Sequence, residues 1–469
     1  MTRSSSRTWR VHSLTSDRGK RAVLEPRRLF ARALLLMAGA LVLFSYSADN
    51  WAQPAPFTVK HSVEWTRIVG VGHRRFSPKP DMVLFSPDRS HFLVHTRRGD
   101  VAGNANVERI IVFDSRTVET YLRSRGAQPL PQGRILAEVL VQQDANELTS
   151  ITWIDEQRIG FLAEGDNRVP QVFVADLATG SARQVTSSRN PVASFAIAGD
   201  TLLYYSHRDV SEALVRPVDN QIIYSVIVPP AASSTGLELF KLSMSSGIVR
   251  RIDLPAARIS AEYRTIWLSP SGRYGIVLAP ALKVPSHWTE YRAGSEESRY
   301  ATGGTAVEPD SLEALFSAKL RYVLVDLDTD EARPLLDAPS GSIAQTFGPA
   351  EIYWLENEQS VIVSHTYLPL SGDAEERARR ASGAGIAEID LRSGAAMPIA
   401  WEPAAGSFAH GDWSGRVRSV DWDRASKALV VERQTPSGAA SRQYYRKDGK
   451  RWKQVATLRS SGNATPLSV

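Results

Sequence analysis

Short apolar strands alternate with polar turns along most of this chain, and the same phrase recurs at irregular intervals. Phe85-Ser86-Pro87-Asp88 opens Phe92-Leu93-Val94, and the same offset separates Leu268-Ser269-Pro270-Ser271 from Gly275-Ile276-Val277. Weaker copies run Trp153-Ile154-Asp155-Glu156 into Ile159-Gly160-Phe161, Trp354-Leu355-Glu356-Asn357 into Val361-Ile362-Val363, and Trp422-Asp423-Arg424 into Ala428-Leu429-Val430, with a degenerate copy from Phe195 to Tyr205. Each is a strand, a polar turn and a second strand. Such a unit cannot bury its apolar face alone, and stacked copies share a core, as in a β-propeller.

The second half of the repeat is a strand that ends in a carboxylate, a turn, and another strand. Val172-Phe173-Val174-Ala175-Asp176-Leu177-Ala178-Thr179-Gly180 leads into Arg183-Gln184-Val185. Its relatives end at Asp114, Ser243, Asp326 and Asp390. An Asp side chain accepts backbone N–H bonds across a turn, and Gly supplies the positive φ of a tight hairpin. These aspartates therefore read as turn residues, not as reactive groups.

Pairing the halves gives six blades, at 81–122, 150–186, 193–253, 265–336, 351–400 and 418–456. Phe57 to Val69 and Arg134 to Gln142 read as further strands from which a seventh could be assembled. The predicted fold class is all-β, a six- or seven-bladed propeller over 57–456, followed by a tail at 457–469. Closure is expected where the first strand pairs with the last blade, which would remove an exposed edge. Phe92, Val94, Phe161, Val174, Ile276, Val325, Val361 and Val430 are the candidate core positions.

The first 47 residues lie outside this rhythm. Arg27, Arg28 and Arg32 precede the apolar run Ala33 to Phe44, and Ser45, Ser47 and Ala48 follow it. That is the basic, apolar, small-residue order of a signal peptide or amino-terminal anchor, and it predicts a periplasmic or secreted protein. Membrane attachment is expected only if the segment is retained. The chain has 56 basic and 50 acidic side chains, of which nine and two lie in residues 1–47. Beyond the leader 47 and 48 remain, a formal charge of −1, and no basic stripe argues for nucleic acid. There is no cysteine, so neither disulfide nor thiol nucleophile.

Several runs together carry a resemblance. Phe57 to Ile68, the Ser-Pro-Asp phrase, and Thr96-Arg97-Arg98-Gly99-Asp100 followed by Asn104, Asn106 and Val107 resemble the amino-terminal propeller of bacterial prolyl oligopeptidase-family serine peptidases. Val284-Pro285 with Trp288 and Tyr291, and Thr366 to Leu370 leading to Ile386 to Asp390, resemble later blades of the same proteins. The Asp-Leu-x-Thr-Gly turns are more distantly similar to TolB-like and dipeptidyl-peptidase-type propellers. In the oligopeptidases a carboxy-terminal α/β-hydrolase domain supplies Ser, Asp and His, and the propeller covers the active site. This chain has no serine with Gly at both minus two and plus two and stops at Val469. The expectation is a chain without that domain or its catalytic residues.

No cofactor or metal site is expected. His91 and His95 share one strand face, but four residues of strand separate them by roughly 13 Å, too far for shared ligation. The candidate binding residues are Arg97, Arg98, Asp100, Asn104 and Asn106, read as a loop of the first blade in which arginines could hold a peptide carboxylate or a facing domain, or else order the loop internally. Two insertions, 281–318 with Trp288, Tyr291 and Tyr300, and 371–384 with a short helix near Ala374 to Arg380, interrupt the rhythm. Their aromatics are expected to pin the insertions onto the fold. The resemblance implies an exported, non-catalytic propeller that gates substrate, binding peptide or a separate hydrolase. A TolB-like scaffold for an envelope protein is the alternative, and a propeller enzyme with carboxylates in a central channel is a third.

Overall fold

The serine of the repeated phrase sets the geometry of its hairpin. In a computed structural model, the Ser86 amide donates to the carbonyl of His91 (2.9 Å), and the His91 amide donates back to Ser86 Oγ (3.0 Å). Ser269 and Tyr274 repeat the pattern at 2.8 and 3.0 Å. Both serines are buried, so their hydroxyls supply partners that water cannot. The structure describes residues 58–70, 82–208 apart from 126 and 143–146, 236–281 apart from 256–263, 283–291, 320–340, 351–401, and 415–459 apart from 416, 424–425, 436–438 and 450. The chain divides into two compact units, Met1–Ser62 and Val63–Val469, and the second holds every described sheet.

Each pair of half-repeats closes into one antiparallel sheet, and six sheets follow one another in chain order as the blades of a β-propeller. The first contains β1 (Arg67–Val69), β2 (Leu84–Phe85), β3 (His91–Asp100), β4 (Ala105–Asp114) and β5 (Arg134–Val141). The second is β6 (Thr149–Trp153), β7 (Arg158–Glu164), β8 (Pro170–Asp176) and β9 (Ser181–Gln184), and the third is β10 (Val192–Ala198), β11 (Thr201–His207), β12 (Leu237–Ser243) and β13 (Val249–Ile252). The fourth is β14 (Ile266–Leu268), β15 (Tyr274–Pro280), β16 (Leu320–Asp326) and β17 (Glu331–Pro334). The fifth is β18 (Ile352–Trp354), β19 (Ser360–Thr366), β20 (Gly385–Asp390) and β21 (Ala396–Trp401), and the sixth is β22 (Val417–Asp423), β23 (Ala428–Gln434), β24 (Ala440–Asp448) and β25 (Arg451–Arg459).

The described residues form six blades, and the strands reserved for a seventh belong to the first. β1 and β2 run end to end along one edge of β3, so the inner strand of blade 1 is built in two pieces, while β5 pairs with β4. Blade 1 accordingly ends at Val141 instead of at 122, and among the described residues 58–69 only Arg67–Val69 is strand, Val59–Val63 being a short helix, α1. Among the described residues the first strand does not pair with the last blade: β1 pairs with β3, and the four described strands of blade 6 come from 417–459. The core lies between blades. Buried clusters join blades 1 and 2, 2 and 3, 3 and 4, 4 and 5, and 5 and 6, the largest reaching from Ile276 and Trp288 to Val361 and Ile389.

The carboxylate turns act as inferred. Asp176 Oδ1 accepts from the amides of Ala178 (2.8 Å) and Thr179 (2.9 Å), with Gly180 at φ 69°. In blade 3, where Ser243 replaces the Asp, Asp200 reaches across from the other hairpin to accept from the amide of Ser245 (2.7 Å). The following leucine is buried and links turns and blades at once. Leu177, Leu327 and Leu391 donate their amides to the neighbouring hairpin of their own blade. Their carbonyls accept from Arg134, Lys241 and Arg333 of the preceding blade.

Candidate functional site

Antiparallel order divides the strand connections between two rims. Hairpins joining first to second and third to fourth strands lie on one, here the turn rim, while second-to-third loops and connections between blades lie on the other, the loop rim. Connections on the turn rim are short in blades 2 to 5, whereas both insertions and the blade 1 hairpin tip lie on the loop rim.

The candidate residues of blade 1 do not form one loop. Arg97, Arg98 and Asp100 belong to β3 and Asn106 to β4, and only Asn104 stands in the turn, with φ 46°. Strand alternation sends Arg97 and Arg98 to opposite faces. Arg97 faces blade 2, with its Nε 3.7 Å from Oε1 of the fully buried Glu108, whereas Arg98 is exposed. Asp100 caps its own turn, accepting from the amides of Ala102 and Gly103 at 3.1 Å. Asn104 is exposed and Asn106 half-buried.

Glu108 is a residue that the sequence reading missed. Its Oε2 accepts from the amides of Leu148 (3.0 Å) and Glu147 (3.1 Å) at the entry to blade 2 and lies 3.2 Å from His95 Nε2. Burial pushes its pKa up, but His95 and the two amides outweigh that and hold it below the usual carboxylate range. Burial raises the pKa of Glu147 next to it, aided by the charges of Glu164 and Glu108. Glu388 does the same work between blades 5 and 6, taking Lys447 Nζ (2.7 Å), Trp452 Nε1 (2.8 Å) and Ser360 Oγ (2.8 Å). The available signal for both was a carboxylate among apolar strand positions.

The two insertions meet. Ser286–Glu290 forms one 3₁₀ turn that buries Trp288, whose Nε1 donates to Asp337 (3.1 Å), and Tyr291 is buried with its hydroxyl donating to the carbonyl of Leu368 (2.9 Å). Tyr300 lies outside the described residues. The predicted helix is α2 (Ala374–Ser382), capped by Asp373, whose carboxylate accepts the Glu376 amide (2.9 Å). Arg377 on this helix holds Glu290 of the other insertion through both Glu oxygens at 2.7 and 2.9 Å. Arg380 donates to Glu376 (2.8 Å) and to the carbonyl of Pro369 (3.1 Å). Blades 4 and 5 thus carry a single braced platform, with Glu375, Ala378 and Arg379 exposed on top. Below it His365 takes a left-handed φ of 52° at a bulge in β19.

On the turn rim a cleft of about 820 Å³ opens between blades 4 and 5, lined by Asp253, Asp330, Glu331, Glu358 and Arg392 among others. Three of these four carboxylates are already engaged: Asp253 by Arg251, Asp330 by Lys241 and Arg250, and Glu358 by the Ser271 amide. Among the described residues no three His, Asp or Glu side chains are grouped so as to hold a metal ion.

No protein-family model and no curated protein matches this chain. Among solved structures it is similar to acylaminoacyl peptidase of Pyrococcus horikoshii, at 11% identity over 85% of this chain and 47% of that one, with a TM-score of 0.38. The β-propeller domain of the Trilobed protease of Pyrococcus furiosus aligns at 11% identity over 80% of each chain, with a TM-score of 0.38. TolB of Acinetobacter baumannii aligns at 12% identity over 81% of this chain and 63% of that one, with a TM-score of 0.32. The chain therefore spans less than half the length of the acylaminoacyl peptidase that it matches. At such identities the likeness concerns the fold.

Proposed function

We propose that this chain is an exported, non-catalytic propeller that binds a peptide or a protein partner, such as a separately made hydrolase, on its loop rim. The observation that carries the reading is the platform of blades 4 and 5. Two insertions from neighbouring blades are fastened to the core by Trp288 and Tyr291 and to each other by the Glu290–Arg377 pair. Long loops cost conformational entropy, and loops held rigidly on a scaffold are where recognition concentrates. The charged groups on the platform suit a polar, peptide-like surface. Arg379 lies over the ring of Trp401 (5.1 Å), which fixes its guanidinium at the rim.

A photo-crosslinking amino acid placed at Glu375 or Ala378, in the cell that makes the protein, tests this. A discrete adduct from these positions, and none from Thr329 on the turn rim, is the expected result. Adducts only from Thr329, or none at all, would refute the assignment of the loop rim.

A further inference from the structure

Blade 1 departs from its neighbours on the turn rim. In blades 2 to 5 the third and fourth strands are joined by 177–180, 244–248, 327–330 and 391–395, whereas in blade 1 the connection runs from 115 to 133. It opens with α3 (Ser115–Arg123), started by Asp114, whose carboxylate accepts from the amide of Thr117 (2.6 Å). Val118, Tyr121 and Leu122 follow at the spacing of one helix face. Yet the helix buries no residue: Val118 and Tyr121 are half-buried and Leu122 is 66% exposed. A helix this short gains its stability in water from packing an apolar face, and this one packs little.

The apolar exposure continues past the helix. Leu130, held between Pro129 and Pro131, is 65% exposed, and Ile135 at the start of β5 is 45% exposed. Around them Arg116, Arg123 and Arg125 are exposed, against one acidic residue on the helix, Glu119, which Arg123 already engages (2.5 Å). Asp88 and Asp114 on this rim accept hydrogen bonds from their own turns, and the charge of Arg116 also acts on Asp114. The connection thus offers leucines that project from the fold beside three arginines set against a single glutamate.

We propose that this corner of blade 1 docks on an anionic phospholipid surface. Leu122 and Leu130 enter the boundary between headgroups and acyl chains, and Arg116, Arg123 and Arg125 meet the lipid phosphates, an arrangement in which apolar burial and charge attraction add. The excess of positive charge on the connection decides between occupants, because an apolar protein groove would leave that excess uncompensated.

The chain has no cysteine, so one can be introduced at a chosen position. Leu122→Cys, Leu130→Cys and, as a control, Thr329→Cys in the full chain are labelled with an environment-sensitive fluorophore and mixed with vesicles. Vesicles of phosphatidylethanolamine and phosphatidylglycerol should move the label at 122 and 130 into an apolar environment, quenchable by spin-labelled lipid, and leave the label at 329 in water. Phosphatidylcholine vesicles should have a much smaller effect, and added salt should weaken the response. Attachment through the leader alone would not single out 122 and 130. Leu122→Asn should weaken partitioning of the Leu130→Cys reporter about tenfold, the worth of one leucine side chain. Labels at 122 and 130 that remain in water with both vesicle types overturn the proposal and point to a protein as occupant. An equal response to both types overturns the part assigned to the arginines.

Discussion

Arg97 and Arg98 are adjacent in sequence and opposite in role. Arg97 faces the buried carboxylate of Glu108, whereas Arg98 is exposed on the other face. Arg97→Ala should therefore cost about 1–3 kcal/mol, the penalty of a less satisfied buried group, while Arg98→Ala should stay within about 0.5 kcal/mol of wild type. Urea unfolding of the two single variants separates them. Their register could be read from strand alternation once β3 was known to continue through Asp100, but the polar run Thr96 to Asn106 reads as loop because its buried partner, Glu108, lies on the next strand. The charge of Glu108 carries its own prediction. Its pKa is lower folded than unfolded, so its contribution is complete above the ordinary carboxylate pKa and is lost as pH falls through the lowered folded value. Glu108→Gln should flatten the acid limb of the stability profile without removing it, because Glu388 is shifted in the same direction by its own partners.

At the scale of elements, blades 2 to 6 were legible almost to the residue, since each hairpin states its turn chemistry locally. Blade 1 was not. Its inner strand is split into β1 and β2, and α3 separates β4 from β5, so neighbours in the sheet are distant in sequence and resemble spare strands. Trp288 and Tyr291 of the first insertion were read correctly as anchors, whereas the bracing of that insertion by Arg377 depends on a pairing 87 residues apart that no local pattern announces. Trp288→Ala should cost about 3–5 kcal/mol, the range for removing a large buried aromatic. Limited proteolysis should then cut near Glu290 before the blades unfold. Gly272 tests the packing of one hairpin against the next. It sits at φ 74° in the Ser269 turn, and a Cβ there would lie 2.7 Å from the backbone oxygen of Ala198 in blade 3. Gly272→Ala combines a disfavoured φ with that clash and should lower the melting temperature, by more than about 1 kcal/mol of stability.

Across the whole molecule, the candidate core positions show where the repeat meets its limit. Val94, Phe161, Val174, Ile276, Val325 and Val361 are buried, while Phe92 and Val430 are only half-buried. Phe92 is on the face of blade 1 turned away from blade 2, because its neighbour Leu93 packs toward Ile159 and Phe161. Val430 is likewise on the face of blade 6 turned away from blade 5, since Leu429 and Val431 pack toward Ile362 and Ile386. Both exceptions thus fall on the outward faces of the first and last blades, and among the described residues no buried cluster joins those two blades as clusters join the other five pairs. Among the described residues no exchanged strand fastens them either, β25 being the outer strand of a sheet drawn from its own blade. Cohesion therefore peaks between blades 4 and 5, where the largest cluster and the braced insertions coincide, and falls toward blades 1 and 6. Local opening follows the density of buried contacts. Hydrogen exchange should accordingly be fastest in β4, β5, β24 and β25 and slowest in β15, β16, β19 and β20. Uniform protection of all six blades would show that the outward faces of Phe92 and Val430 are held together as firmly as the other junctions.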